Sequence, residues 1–353
     1  MAPVVRALAG HPDEFRSVVC VTGQHREMLD RVLELFEIVP DHDLAVMRPD
    51  QTLTDVTTAV LRGLEPVVAG ERPDWLLVQG DTTTAIAGAL AAYYQRVAVA
   101  HVEAGLRTGD KYRPFPEEVN RKLVSAIADL HLAPTTRAAE NLRAEGIPDE
   151  RVVVTGNTVI DAIRHVGALP YDPAGTELAA LPADKRIVLV TAHRRETFGR
   201  GIEEICAGLR ELAEGREDVH LVYAVHPNPN IAGPVHRLLA GVPNLTLLAP
   251  LDYRPMVWLL RRSSLVITDS GGLQEEAPGL GKPVLVVRDT TERPEGVEAG
   301  TVRLVGADRA RIVAEAARLL DDPAAYDAMA RSVNPYGDGH AAGRIVAALR
   351  SRT

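Results

Sequence analysis

A chain of 353 residues, 46% hydrophobic and 25% charged, has the composition of a folded globular protein and is long enough for two domains. Its net charge of −9, with no basic tract to offset it, argues against nucleic acid as the main partner. No apolar run reaches the length of a membrane span and the first residues lack a signal-peptide pattern, so a cytoplasmic protein is expected, with no membrane partner.

The opening "MAPVVRALAG" reads as a helix with Val4, Val5 and Leu8 on one face. Short apolar strands then alternate with amphipathic helices. In the first half they fall at 17–22, 75–79, 97–102, 130–133 and 152–155. In the second half they fall at 187–191, 219–225, 245–248, 265–268, 284–287 and 302–305. Strands without polar alternation, separated by helices, predict parallel sheets covered on both faces, here two doubly wound domains. The boundary is expected within 158–185, where "LPYDPAGTELAALPADKR" is rich in Pro, Gly and Ala. The first domain is read as 1–165, with a C-terminal helix over 336–353 packing back on it, and the second as 166–335. Cys20 and Cys206 lie in an apolar run and a helical pattern and read as reduced core thiols.

Ligands of such sheets sit at the carboxyl ends of strands, so the polar residues just past each strand are the candidates. "QGDTTTAIAGALAA" puts Asp81 and three threonines at a strand end, where Asp81 is a reactive acid or the segment is only a helix cap made by Asp or Thr. Glu103 in "HVEAGLRTGD" ends the next strand and could be a reactive acid or the ion-pair partner of Arg107. "PFPEEVNRKL" offers Glu117, Glu118 and Arg121; the alternative to chemistry is a first helical turn with a Glu117–Arg121 pair. In the second half "TAHRRETFGRG" places His193, Arg194 and Arg195 between a strand and a helix, as a core histidine or an anion site. "DSGG", with Ser270, Gly271 and Gly272, offers backbone N–H groups and a helix start to a diphosphate, or is a plain turn. Glu276 lies one turn further on, placed for a ribose, and Arg293 sits in the polar loop "RDTTERPEG". The chain has no G-x-G-x-x-G, Walker loop, zinc spacing or G-x-S-x-G elbow, which weakens nicotinamide, ATP, metal and hydrolase chemistry. What remains fits a sugar nucleotide.

With those residues in hand the chain resembles the non-hydrolysing UDP-N-acetylglucosamine 2-epimerases. "VTGQHREMLD", "QGDTTT", "HVEAGLRTGD", "PFPEEVNR", "TGNTVIDA", "TAHRRETFG", "TDSGGLQEEAPGLGKPVLVVRDTTERPE", "AGTVRLVG" and "NPYGDG" are similar to that family's motifs, in the same order. The resemblance implies the GT-B fold, two Rossmann-like domains facing across a cleft. It also implies reversible conversion of UDP-GlcNAc to UDP-ManNAc through a 2-acetamidoglucal, with no cofactor and no metal, in a homodimer. It assigns catalysis to Asp81, Glu103, Glu117, Arg121 and His193, and UDP contacts to His193, Ser270, Gly271, Gly272, Glu276 and Arg293. "GQHRE", with Gln24 and His25, resembles part of the site where bacterial members bind a second, activating UDP-GlcNAc.

One departure stands out. Family members begin with a strand and a Gly-Thr-Arg-Pro-Glu segment ending in a lysine, ahead of the residue matching Met1. The expectation is that the natural protein is longer; as written, the chain would lack a central strand and be weakly active. That makes a catalytically weak or inactive UDP-sugar-binding protein one alternative; a GT-B glycosyltransferase and a hydrolysing epimerase are the others.

Overall fold

Strands such as "RIVLVT" and "AVAHV" bury both faces, and each is followed by a helix that carries the chain back across the sheet, which is what parallel pairing requires. In the computed structural model, which describes residues 1–23, 26–48 and 50–352, every strand pair is parallel. The chain divides into two units, Met1–Ala162 with Tyr336–Thr353, and Ile163–Pro335. The division falls inside a helix, and the Pro- and Gly-rich stretch follows that helix within the second unit.

The first unit opens with α1 (Ala2–Ala9), β1 (Cys20–Val21), α2 (Arg26–Leu35), β2 (His42–Asp43) and α3 (Leu53–Glu71). Then come β3 (Trp75–Gln79), α4 (Thr83–Tyr94), β4 (Ala98–Val102), α5 (Glu117–Ile127), β5 (Leu130–Ala133), α6 (Thr136–Ala144), β6 (Val152–Val154) and α7 (Thr158–Ala168). Its main sheet runs β3-β4-β5-β6. The strand expected over 17–22 is reduced to Cys20–Val21, paired with β2 in a separate two-stranded ladder. Ahead of it, Val19 is tied to the β2 approach by other bonds: its carbonyl accepts from Asp41 and His42, and its N–H donates to Asp41 Oδ2 at 2.7 Å. Alternate residues of β4 feed two cores. Ala100 and Val102 pack with Val4, Leu8, Ile345 and Leu349, whereas Val99 packs with Ile86, Ala89 and Val124 of α4 and α5.

The second unit contains β7 (Arg186–Thr191), α8 (Arg200–Glu214), β8 (Val219–Ala224), α9 (Pro229–Leu239), β9 (Leu245–Leu248) and α10 (Tyr253–Arg262). It continues with β10 (Ser263–Thr268), α11 (Gly271–Gly279), β11 (Val284–Val286), α12 (Pro294–Glu298), β12 (Val302–Leu304), α13 (Arg309–Asp321) and α14 (Pro323–Ala330). The final helix, α15 (Ala341–Arg350), returns to the first unit and packs on α1. The sheet order β12-β11-β10-β7-β8-β9 is, in the unit's own chain order, 6-5-4-1-2-3, that of a doubly wound nucleotide-binding domain. The strand order reverses between β7 and β10, so a crevice opens beyond the carboxyl ends of those two strands. Among the described residues no helix is long and apolar enough to cross a membrane.

Candidate active site

Two clusters form at strand ends, one in each unit. In the first, β3 ends on Gly80, whose φ of +71° is natural only for glycine. Its N–H donates to Val102 O at 3.0 Å and its carbonyl accepts from the buried His101 Nε2 at 2.8 Å. The turn is thus docked on β4 from both sides of the peptide. Thr82 caps α4, accepting from Ala85 N at 3.3 Å, so the capping alternative for Asp81 is not what the fold adopts. The Asp81 carboxylate instead meets the Arg121 guanidinium, which is nearly buried on α5.

The Glu117–Arg121 pair, the alternative to chemistry at this helix start, is not formed. Arg121 turns to Asp81 and to Glu118 at 3.3 Å, because the two stronger partners lie on the buried side of α5. Glu118 is the residue the sequence underrated. It is fully buried, and its carboxylate accepts the N–H groups of Thr108 at 3.0 Å and Gly109 at 3.1 Å, tying the loop after β4 to α5. Adjacent Glu117 is different: its Oε2 is buried with no hydrogen-bond partner among the described residues.

Glu103 sits at φ +64°, a left-handed conformation that costs a non-glycine residue on the order of 1 kcal/mol. It accepts from Gln79 Nε2 at 3.3 Å. Arg107 is not its partner, contrary to the alternative drawn from sequence. Arg107 binds Glu145 at 2.7 Å and Ser125 at 3.0 Å, because the chain turns at Gly105 and carries it away. The helix cap, the Arg107 pair and the Arg121 pair offered as alternatives for Asp81, Glu103 and Glu117 are thus not the contacts these three residues make.

In the second unit the ends of β7 and β10 meet at the reversal point. Thr191 and Thr268 join them by a hydroxyl contact of 2.6 Å. Asp269, fully buried, accepts the N–H groups of His193 at 2.6 Å and Arg194 at 2.7 Å. His193 is half-buried, and its ring stacks on His226 from the end of β8, centroids 5.4 Å apart. Burial, followed by the charges of His226 and Arg194, holds the His193 proton affinity below the ordinary imidazole range, against the opposing pull of Asp269. Ser270 precedes α11 and makes no side-chain cap to it; Gly271 and Gly272 are its first residues. A side-chain carbon on Gly271 would lie 3.6 Å from Arg194 Nη2, so the helix start and a guanidinium share one small space.

Glu276 lies in the next turn of α11, its carboxyl pushed up to about 7 by burial and the neighbouring Glu275 charge. Glu275 itself is buried and takes the Nε of Arg293, so the loop arginine expected at the UDP is clamped to α11. Arg288, missed by the sequence reading, is nearly buried after β11 and pairs with Glu196 of the loop following β7. Its signal was only an arginine directly after an apolar strand. Gln24 and His25 lie outside the described residues. Among the described residues no group of three or more His, Cys, Asp or Glu side chains is arranged to hold a metal ion.

Residues 6–350 match the sequence model of UDP-N-acetylglucosamine 2-epimerase. The UDP-N-acetylglucosamine 2-epimerases of Salmonella typhimurium and Escherichia coli are each 56% identical to the chain, over 99% of it and 95% of their own lengths. The crystal structure of UDP-GlcNAc 2-epimerase from Neisseria meningitidis bound to UDP-GlcNAc superposes with a TM-score of 0.87. That protein is 46% identical, with 99% of this chain and 96% of the other covered.

Proposed function

The chain belongs to the UDP-N-acetylglucosamine 2-epimerase family, so it epimerises UDP-GlcNAc at C2, and we propose that it does so by expelling UDP and adding it back. The C2 proton is scarcely acidic while C1 is tetrahedral. Loosening the C1–oxygen bond puts positive character on C1 and acidifies that proton. The diphosphate that departs gathers negative charge, and the groups that stabilise it are the Gly271 and Gly272 N–H groups, Ser270 and His193. Glu276, kept partly protonated near neutrality, accepts or donates to the ribose hydroxyls. Arg293 holds Glu275 and, through it, the geometry of α11.

A carboxylate of the first unit removes the C2 proton and leaves 2-acetamidoglucal. A second returns a proton to the other face as UDP re-adds, giving UDP-ManNAc. Glu117, Glu103 and Asp81 share the acid–base work, and Glu117 Oε2 has no hydrogen-bond partner among the described residues. Arg121 pairs with Asp81 and fixes the position of its carboxylate. The reaction is redox-neutral, since one C2–H bond and one C1–O bond are broken and re-formed, the new C2 hydrogen coming from a carboxyl group that exchanges with solvent.

The observation that carries this reading is the reversal point of the second sheet, where His193 and the uncapped start of α11 converge on one crevice. The assembly is proposed to be a homodimer in the cytoplasm. Incubation with UDP-GlcNAc in D₂O, followed by NMR, tests the function. UDP-ManNAc carrying deuterium at C2, formed without any acceptor, is expected. Free ManNAc, or turnover only with an acceptor sugar, would contradict it.

A further inference from the structure

We propose that Asp269 is a positioning residue for this reaction, whose buried carboxylate turns Nδ1–H of His193 inward and leaves Nε2 facing the departing diphosphate. The inference rests on the reading of His193 as a diphosphate ligand. Asp269 lies at the end of β10 with no exposed surface, where a carboxylate is costly unless it is compensated. One oxygen is compensated by the backbone N–H groups of His193 and Arg194, at 2.6 and 2.7 Å. The other, Oδ1, has no hydrogen-bond partner among the described residues and faces His193 Nδ1 at 3.4 Å. The carboxylate therefore both anchors the backbone of His193 and presents its remaining oxygen to the ring.

That arrangement selects a tautomer. A carboxylate can only accept, so Nδ1 carries hydrogen and Nε2 is the nitrogen left for a ligand. The groups facing the ring are Asp269, His226 and Arg194. His226 Nδ1 accepts from Asn228 N at 3.1 Å, which leaves Nε2 as its hydrogen-bearing nitrogen. Asp269 is the one acidic group among the three, and it alone favours the imidazolium. A diphosphate arriving at Nε2 adds negative charge on the opposite side. The ring becomes a cation between two anions, and a proton is taken from solvent as the nucleotide binds. No covalent bond to His193 forms; Nε2–H donates to a β-phosphate oxygen as the C1–oxygen bond opens.

A double-mutant cycle with His193→Asn and Asp269→Asn tests this, with kcat, KM and the pH profile of kcat as readouts. In the wild-type background Asp269→Asn is expected to lower kcat about 10²-fold or more, with a smaller change in KM. Its alkaline limb moves to lower pH, because losing the anion lowers the proton affinity of His193. In the His193→Asn background the second change is expected to cost less than about 3-fold. Equal losses in both backgrounds, or an unmoved limb, would overturn the assignment while leaving His193 as the diphosphate ligand. A fully active His193→Asn would overturn that site reading, and this inference with it. Calorimetry of UDP binding in two buffers of different ionisation enthalpy needs no folded Asp269 variant. Proton uptake by the wild type that is lost in His193→Asn is expected, and no uptake by the wild type would contradict the proposal.

Discussion

At the scale of single residues, neighbouring side chains of one type have been given different tasks by burial. Glu117 and Glu118 are adjacent in sequence, yet one keeps an unsatisfied oxygen and the other accepts two backbone N–H groups and an arginine. Glu117→Gln is therefore expected to cut kcat by about 10²–10⁴-fold with UDP affinity unchanged, measured by coupled turnover and calorimetry. Glu118→Ala should instead act on stability. It strands the nearly buried Arg121 and two N–H groups, and a loss of about 3–5 kcal/mol is expected in urea unfolding. "PFPEE" by itself could not separate these roles, because both acids fall in the first turn of a helix. What separates them is which one points at the loop after β4, and only the folded backbone decides that. Asp81 was legible as a strand-end acid, and its release from capping depended on Thr82 reaching Ala85.

At the scale of elements, α5 carries the site on one side and an apolar stripe on the other. Val119 and Leu123 on α5 are exposed by 37% and 49%, and Phe115, just ahead of the helix, by 62%. A helix that is apolar on its outer face wants a partner, and in the proposed homodimer a second copy covers it. Leu123→Asp is expected to give a monomer in sedimentation equilibrium, with the secondary structure unchanged; an unaltered dimer would place the interface elsewhere. The turn that aims Glu103 depends on Gly105, at φ +90°. A Cβ there would fall 2.2 Å from the carbonyl oxygen of Ala138. Gly105→Ala is expected to destabilise by about 3 kcal/mol, read as a lower thermal midpoint. Strands with continuous apolar runs were legible almost to the residue, as at 75–79, 130–133 and 245–248. The strand over 17–22 was not, because a run of β-branched residues states a preference for extended chain but does not say which strand will pair with it.

At the scale of the whole molecule, acid should act through the first unit. His101 and His131 lie opposite each other on β4 and β5, both without exposed surface. Burial pushes each imidazole down to about 4 from its usual 6.5. An unfolded chain binds those protons below pH 6.5 and the folded chain does not until about 4. Stability is thus whole above that window and falls as pH drops through it, by up to about 3 kcal/mol per histidine. Urea unfolding at pH 7 and pH 4.5 is expected to show the loss, reduced in His131→Phe. The two-unit plan and the parallel sheets follow from the alternation of apolar strands and helices, whereas the strand order that creates the reversal point does not, since the pattern fixes the elements and not their neighbours. The chemistry assigned to that point is tested most directly by positional isotope exchange. UDP-GlcNAc labelled with ¹⁸O in the bridge between the sugar and the β-phosphate is incubated in D₂O. Breaking the C1–oxygen bond at every turnover lets the freed β-phosphate rotate, so the label should spread to its non-bridging oxygens while deuterium enters C2. Deuterium at C2 with the label still confined to the bridge would contradict the account.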